Sequence, residues 1–292
     1  MRSTRVLLMV FAAAGTLSVL AAAVSADHAV AQCALVASAA LIGYVLLAGP
    51  AAPRVRPALA AGIALLALPT AMELWRGSAA PATRQSLIPI YTPLGGSAAP
   101  TGRTALPSIL DQWRQALDQE RLASVGLLLG VLCLAVAVLA LPARQRPKTT
   151  VLAGVVAVLL LLIVGADVWS RVDGEPLLGL LGTAWPALLA TLAAAGVLAL
   201  SASRADRVAL VPLGALLVAV SAAVAFHDLT RRWVAWWTFS NPDDGVLLSA
   251  GVAVSLANVV DVPAALLAAV TLTGPALLAV GTLRASRAAD PT

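Results

Sequence analysis

Residues 150–171, TVLAGVVAVLLLLIVGADVWSR, decide the fold of this chain. The apolar run over 150–168 is long enough to cross about 30 Å of hydrocarbon as a helix, and it ends among an acid, a tryptophan and an arginine. Seven further runs have similar length and character. The eight runs comprise residues 6–24, 29–49, 58–75, 122–141, 150–168, 185–202, 208–226 and 263–283. The sequence therefore predicts an all-α, polytopic transmembrane helical bundle of about eight spans.

The composition of the whole chain indicates the same class of protein. Of its 292 residues, 60% are hydrophobic and only 11% are charged, and the mean hydropathy is +0.93, whereas about 25% of residues are charged in soluble domains. Cys33 and Cys133 lie inside apolar runs, which argues against a disulfide framework or a thiolate metal site. The apolar run within residues 1–26 exceeds the roughly 7–15 residues of a secretory signal, so we expect a retained first helix.

The basic residues indicate how the spans are oriented. With the N-terminus in the cytoplasm, four further segments also face it: 50–57, 142–149, 203–207 and 284–292. Together these regions contain eleven of the nineteen basic residues but only Asp206 and Asp290 of the fourteen acids, as the positive-inside rule requires. We therefore expect both termini inside, in the cytoplasmic membrane of a bacterium, since the arginine-rich composition suggests a GC-rich genome. The bases are dispersed beside spans, so the expected partner is the lipid bilayer and not nucleic acid.

A two-helix unit recurs along the chain. The third, fifth and seventh runs follow the segments RVRP (54–57), RQRP (144–147) and RADR (204–207). They end near Glu73, Asp167 and Asp228. The even-numbered runs also end alike, as in VLALPARQRP and VLALSASRADR. The pattern predicts four tandem two-helix repeats, each leaving the cytoplasmic side and returning to it.

The outer segment 76–121 divides into two parts. Residues 76–107 are rich in Pro, Gly, Ser and Ala and are expected to form an irregular extracytoplasmic loop. Residues 108–121 show helical spacing of apolar side chains, and Ser108 with Asp111 fits a capping box. We expect an amphipathic helix that lies on the outer leaflet or folds over the bundle and continues into the fourth span.

A second extracytoplasmic loop is expected over residues 227–262. Its apolar part, 246–260, would extend only about 22 Å as a helix, which is less than the hydrocarbon thickness. We expect this part to be interfacial or re-entrant, because a ninth crossing would place Arg284 and Arg287 outside.

All seven tryptophans fall on the outer side in this orientation. Two interpretations are open: an uneven aromatic belt at the headgroup level, or an outer vestibule or partner surface lined with aromatic rings. The aromatic surface would consist of Trp233, Trp236 and Trp237.

Charged residues near the outer ends of the helices form the candidate polar site. Three acids have an arginine at helical spacing, Glu73 with Arg76, Asp167 with Arg171, and Asp228 with Arg231. A further pair, Asn258 and Asp261, lies between apolar runs, where a carboxylate at membrane depth would cost about 2.5–3.5 kcal/mol. These groups either anchor and cap helix ends, or three or four carboxylates converge in an outer cavity that binds a cation or a polar headgroup.

Neither the histidines nor the small residues indicate catalysis. His28 and His227 are expected at the interface, because no third metal ligand accompanies them, and we expect no metal and no cofactor. The pattern predicts helix packing, and not a site, at the GxxxG of Gly126 and Gly130. The same holds for the pairs Ala39 with Gly43 and Ala190 with Ala194.

These features favour a membrane protein without enzymatic activity: a translocation component, or an accessory subunit of a cell-envelope or small-molecule process. The outward bias of acids and tryptophans supports this function. Two alternatives are open. An integral membrane enzyme of the lipid-linked transferase type would use an outer carboxylate as a base and an arginine for phosphate. A scaffold would dock a membrane-protein partner, or a second copy of the chain as a homo-oligomer, through an exposed aromatic surface.

Overall fold

The computed structural model describes residues 2–48, 55–76, 101–142, 147–171, 176–204, 209–240 and 263–288. Within these ranges the chain forms eight α-helices and no strand. The helices are α1 (Arg2–Ala23), α2 (Asp27–Leu47), α3 (Val55–Arg76), α4 (Thr101–Leu139), α5 (Pro147–Arg171), α6 (Pro176–Arg204), α7 (Leu210–Ser240) and α8 (Ala264–Ala288). Each is long and apolar enough to cross a membrane, which confirms the helical, multi-pass class predicted from the eight runs.

Three helices, α4, α6 and α7, are longer by more than ten residues than the apolar runs that predicted them. α4 has 39 residues and α7 has 31, which correspond to about 58 and 46 Å at 1.5 Å per residue. α6 begins at Pro176 instead of residue 185. The hydrocarbon is only about 30 Å thick, so α4 and α7 extend beyond it. An apolar run marks the part of a helix that lies in hydrocarbon and does not mark where the helix ends.

The start of α4 corrects the predicted capping box. Because α4 begins at Thr101, Ser108 lies inside the helix and is not its N-cap. The motif has Glu or Gln at its fourth position, and Asp111 is one methylene shorter than Glu, so the sequence match was incomplete. The predicted amphipathic segment 108–121 is helical and continues into the fourth span without a break.

The second predicted loop begins later than expected, because α7 is longer than its apolar run. α7 continues to Ser240, so residues 227–240, which we predicted as the beginning of a loop, are helical. The segment 246–260 lies outside the described residues.

The helix pairs α3–α4 and α7–α8 run antiparallel, as the contacts at their glycines show. In the α3–α4 pair, Gly62 lies opposite Gly130, whereas Leu68, six residues further along α3, lies opposite Gly126. The same reversal holds between α7 and α8. We call the end of the bundle at which α1, α3, α5 and α7 end the exit face. It corresponds to the side predicted as the outer one.

Seven of the helices form a closed ring of neighbours, and α5 packs on the outside of this ring. Contacts lead from α1 through α2, α3, α4, α6 and α7 to α8, and α8 returns to α1. α5 packs against α6 and α7. The core consists mainly of alanine, valine and leucine, including the fully buried Leu59, Leu134 and Leu278. The two helices of each predicted repeat pack against each other, and the equivalence of the four units stays a prediction.

An arginine connects α6 to the end of α4 on the face opposite the exit face. Nη1 of Arg204 donates to the main-chain oxygens of Leu139 and Leu141, the latter at 2.9 Å. Carbonyls at the end of a helix lack helical donors. Arg204, which the sequence presents as a topogenic charge, therefore also caps α4.

Glycines allow the closest helix contacts. A Cβ on Gly62 would lie 3.1 Å from the main-chain oxygen of Gly130, so the GxxxG motif of α4 packs against α3 as predicted. Between α7 and α8, a Cβ on Gly214 would lie 2.5 Å from the main-chain nitrogen of Leu278 and 2.8 Å from the oxygen of Gly274. Of the other small pairs, Ala190 and Ala194 are fully buried. Ala39 is exposed, so its pair with Gly43 does not form one contact face.

We expect Gly214→Ala to lower the free energy of unfolding by about 1–3 kcal/mol, because the added methyl group forces α7 and α8 apart. The matched control is Gly196→Ala on α6, where a Cβ meets no atom within 4 Å and where alanine should stabilise the helix by about 0.5–1 kcal/mol. Unfolding of both variants in mixed detergent micelles measures the difference. Equal stability of the two variants would contradict the close α7–α8 contact.

Candidate functional site

A histidine–aspartate pair joins α7 to α5 near the exit face. Nδ1 of His227 lies 2.8 Å from Oδ2 of Asp167, and the two side chains are 28% and 24% exposed. An ionised carboxylate can only accept, and with Asp167 in that form Nδ1–H of His227 is the donor. The two residues are 60 positions apart in sequence, and their contact connects α5 to α7 and fixes the orientation of the imidazole.

A second ion pair joins α7 to α4. Nη1 of Arg232 contacts Oε1 of Glu120. Arg232 is exposed and Glu120 is half-buried, so this pair is more accessible to solvent or headgroups than the histidine pair.

The two pairs lie on opposite flanks of the buried face of α7. At about 100° per residue, His227 and Arg232 are separated by about 140° around the helix. The buried residues Phe226, Leu229, Thr230 and Trp233 centre on a direction about 110° from each of them. The side chains therefore hold α7 between α5 and α4 while its apolar face packs into the bundle.

Two further charged residues lie between these flanks. Asp228 and Arg231 are half-buried and project between His227 and Arg232 on the helical wheel. We call six residues the charged cluster: His227, Asp228, Arg231 and Arg232 of α7, Asp167 of α5 and Glu120 of α4. It contains three acids, two arginines and one histidine, so its formal charge is zero when His227 carries a second ring proton and −1 when it does not.

An apolar cluster supports this end of α7. Trp233 is 3% exposed and stacks on Trp237 with ring centroids 5.3 Å apart. A Cβ on Gly179 of α6 would lie 2.8 Å from the ring of Trp233, so only glycine admits the indole there. Leu117 of α4 and Leu180 of α6 belong to the same buried cluster. Because α4, α6 and α7 pack around this indole, the helices that carry Glu120, His227 and Arg232 are fixed relative to one another.

The predicted aromatic surface is therefore not one exposed patch. Trp233 lies in the core, and Trp236 and Trp237 are half-buried and pack against it. The expectation of an exposed patch formed by all three rings is wrong for Trp233, because its ring fills the space left by Gly179. Trp169 of α5, by contrast, is 81% exposed.

Three residues of the predicted polar site lie on α5 and α7 near the exit face, and a shared site stays a prediction. Asp167, Asp228 and Arg231 belong to the charged cluster. The main chains of Glu73 and Arg76 form the end of α3, and Arg171 is the last residue of α5. Asn258 and Asp261 lie outside the described residues. The convergence of Glu73 with Asp167 and Asp228 stays a prediction.

Two members of the cluster were not recognised from the sequence as partners. His227 was interpreted as an interfacial residue, and Glu120 was not singled out. Both lie near the outer ends of predicted helices, and this position is the feature of the sequence that could have indicated them as members of the cluster. Their partners depend on α7 lying between α5 and α4, and hydrophobic periodicity does not specify which helices are neighbours.

The chemistry available to the charged cluster is proton exchange or binding of a polar group. Among the described residues, no three His, Cys, Asp or Glu side chains come together as a metal site would require. The carboxylate of Asp167 is positioned to accept a hydrogen bond from the imidazole of His227.

The fold and the charged cluster define the class: a multi-pass, α-helical integral membrane protein with paired ionisable groups near one end of its bundle. Comparisons with protein-family models, curated proteins and solved structures found no match to this chain.

The histidine–aspartate pair should contribute more to stability than the glutamate–arginine pair. In a double-mutant cycle with Asp167→Asn and His227→Gln, we expect a coupling free energy of about 1 kcal/mol, since a hydrogen bond to a charged group is stronger than a neutral one. A matched cycle with Glu120→Gln and Arg232→Gln should give less, because exposed pairs contribute little. The free energy of unfolding in mixed micelles is the measurement. A larger coupling for the second pair would overturn this ranking.

Proposed function

We propose that the protein is a translocation component of the membrane in which the pair of Asp167 and His227 exchanges a proton. The observation that carries this proposal is the position of the pair. Both residues fall within helical segments apolar enough to span a membrane, Thr149–Trp169 and Leu210–Val234. Ionisable residues in such segments are costly, and they commonly belong to ion pathways or proton relays.

The charge balance of the cluster supports proton exchange over cation binding. With His227 neutral, the cluster has a single formal negative charge, and one proton on the imidazole removes it. A site for a metal cation would need an excess of carboxylates that are not already opposed by arginines, and here Arg231 and Arg232 oppose the acids. A proton is therefore the cation that this set of side chains fits best.

The packing of α5 supports a coupling between the proton on the imidazole of His227 and the position of α5 in the bundle. α5 lies outside the closed ring of the other helices, and only 11% of its span is buried. Asp167 is its polar link to α7 through His227. A change of charge on the imidazole would act directly on this link, which is a local event of the kind that biases helix arrangements.

We test the proposal by proton flux. The full-length protein is reconstituted into liposomes that contain a pH-sensitive dye, and a potassium gradient with valinomycin provides the driving potential. We expect flux above that of empty liposomes, and a reduction of about tenfold or more with Asp167→Asn or His227→Gln, since neither amide titrates near neutral pH.

The matched control for the flux measurement is Asp118→Asn on α4, an exposed acid near the same end of the bundle. It should leave the flux unchanged. Flux equal to that of empty liposomes, or an equal reduction by Asp118→Asn and Asp167→Asn, would overturn the proposed function.

For the orientation we infer that both termini face the cytoplasm of a bacterial cell and that the exit face is the outer one. The support is the excess of basic residues in the short segments of the opposite face. In a background with Cys33→Ala and Cys133→Ala, we expect Ser78→Cys to react with an impermeant maleimide in intact cells. Ala143→Cys should react only after permeabilisation. The reverse labelling pattern would overturn this orientation.

A further inference from the structure

One arginine on the face opposite the exit face has a buried donor without an acceptor. Nε of Arg56, the second residue of α3, is buried and makes no hydrogen bond within the part of the chain that the structure describes. The side chain as a whole is half-buried, so it is accessible in part. We call this end of the bundle, where α3 and α7 begin, the entry face.

Arg204 shows how a guanidinium is satisfied at the same depth. The main chains of Gly62 and Gly130 lie level with each other. Arg56 precedes Gly62 by six residues, or about 9 Å towards the entry face. Leu139 follows Gly130 by nine residues, or about 13 Å in the same direction. Arg56 therefore lies within about one helical turn of the level at which Arg204 donates to the carbonyl of Leu139.

Arg56 cannot avoid the cost of its unmade hydrogen bond. Val55 and Leu59, on either side of it along α3, are fully buried, so the first turn of the helix is held in the bundle. A guanidinium keeps its charge at every pH at which proteins fold, and a buried charged donor without an acceptor is costly. The side chain therefore requires an acceptor from outside the described residues.

The charges of the entry face indicate which kind of acceptor fits. Among the described residues, the helix ends on this face carry no acid, and they carry Arg5, Arg204 and Arg284 in addition to Arg56. An anion is the electrostatic complement of such a face. A zwitterionic headgroup would also bring an ammonium group, for which the described residues of this face offer no carboxylate. The fitting ligand therefore has a net negative charge.

Phosphate is the anion that matches a guanidinium best. The planar fork of arginine presents two parallel N–H groups, and a phosphate accepts from both at once. Two sources can supply this group at the end of a membrane-spanning helix: the headgroup of an anionic phospholipid, and a free phosphate or phosphate ester. Both present the same oxygens to the arginine.

We propose that Arg56 is the centre of a site on the entry face that binds the phosphate of a net anionic molecule. The guanidinium turns about its terminal bonds so that Nε–H and one Nη–H donate to two phosphate oxygens. We call this the phosphate site. It lies on the opposite face from the charged cluster and does not depend on proton exchange there.

Two binding measurements on the full-length protein distinguish the sources. In detergent, native mass spectrometry counts the molecules of phosphatidylglycerol or phosphatidylethanolamine that are bound. In nanodiscs of phosphatidylcholine, equilibrium dialysis with radioactive inorganic phosphate measures binding of the free anion. For a lipid source we expect saturable binding of phosphatidylglycerol with a preference of about fivefold or more over phosphatidylethanolamine. For a free source we expect saturable binding of inorganic phosphate.

Arg56→Lys tests the role of the guanidinium, because lysine keeps the charge and loses the planar fork. We expect binding about tenfold weaker, as for the loss of one charge-assisted hydrogen bond. The matched control is Arg284→Lys, at an exposed arginine of α8 on the same face, which should bind like the wild type. Unfolding midpoints verify that both variants fold, and the lipid preference of the wild type tests the site even if Arg56→Lys does not.

Four results would overturn the phosphate site. The first is no saturable binding of phosphatidylglycerol or inorganic phosphate by the wild type. The second is equal binding of the two lipids without binding of inorganic phosphate. The third is an equal effect of Arg56→Lys and Arg284→Lys. The fourth is a stability coupling of Arg56→Gln with Asp206→Asn or Asp290→Asn in a double-mutant cycle, which would assign the acceptor to an acid of the chain itself.

Discussion

The close approach of helix backbones across faces of glycine and alanine is the constraint on which the rest of the bundle depends. Hydrocarbon is as apolar as a leucine side chain, so burial from water does not drive one span against another, and tight packing must do so. α7 contacts α8 at Gly214, where the main chain of Leu278 leaves no room for a methyl group. α3 meets α4 at Gly62 and Gly130 in the same way.

The apolar surroundings also determine where polar groups lie. In the middle of the bundle, hydroxyl groups bond to main-chain oxygens and sometimes cross between helices, as Ser18 does to Val30 and Thr191 to Ala222. Charged links belong to the ends of the helices. Arg204 caps α4 on one face, and His227 with Asp167 joins α7 to α5 near the other. This division follows from the high cost of an unpaired charge in hydrocarbon.

α7 is held by other helices at both of its ends. Its charged end is held between α4 and α5, and its other half packs through Gly214 against α8. A displacement of α7 would therefore act on the charged cluster and on the contact with α8 through one rigid helix. Tight packing transmits such displacements because it leaves little free space to absorb them.

The sequence by itself determined the class of the protein and the eight apolar helices of the described residues, because hydrophobicity over about 20 residues is a local property. It also identified Asp167 and Asp228 as notable, and the small residues of α4 as a packing face. It failed at the helix ends: α4 begins before Ser108 and α7 continues past His227, since polar residues form helix as readily as apolar ones once they leave the hydrocarbon. Only the tertiary structure decided that His227 meets Asp167, that Arg232 meets Glu120 and that Trp233 is buried over Gly179. The physical reason is that these contacts depend on which helices are neighbours, and helices that are apolar on every side leave that choice to packing between distant parts of the chain.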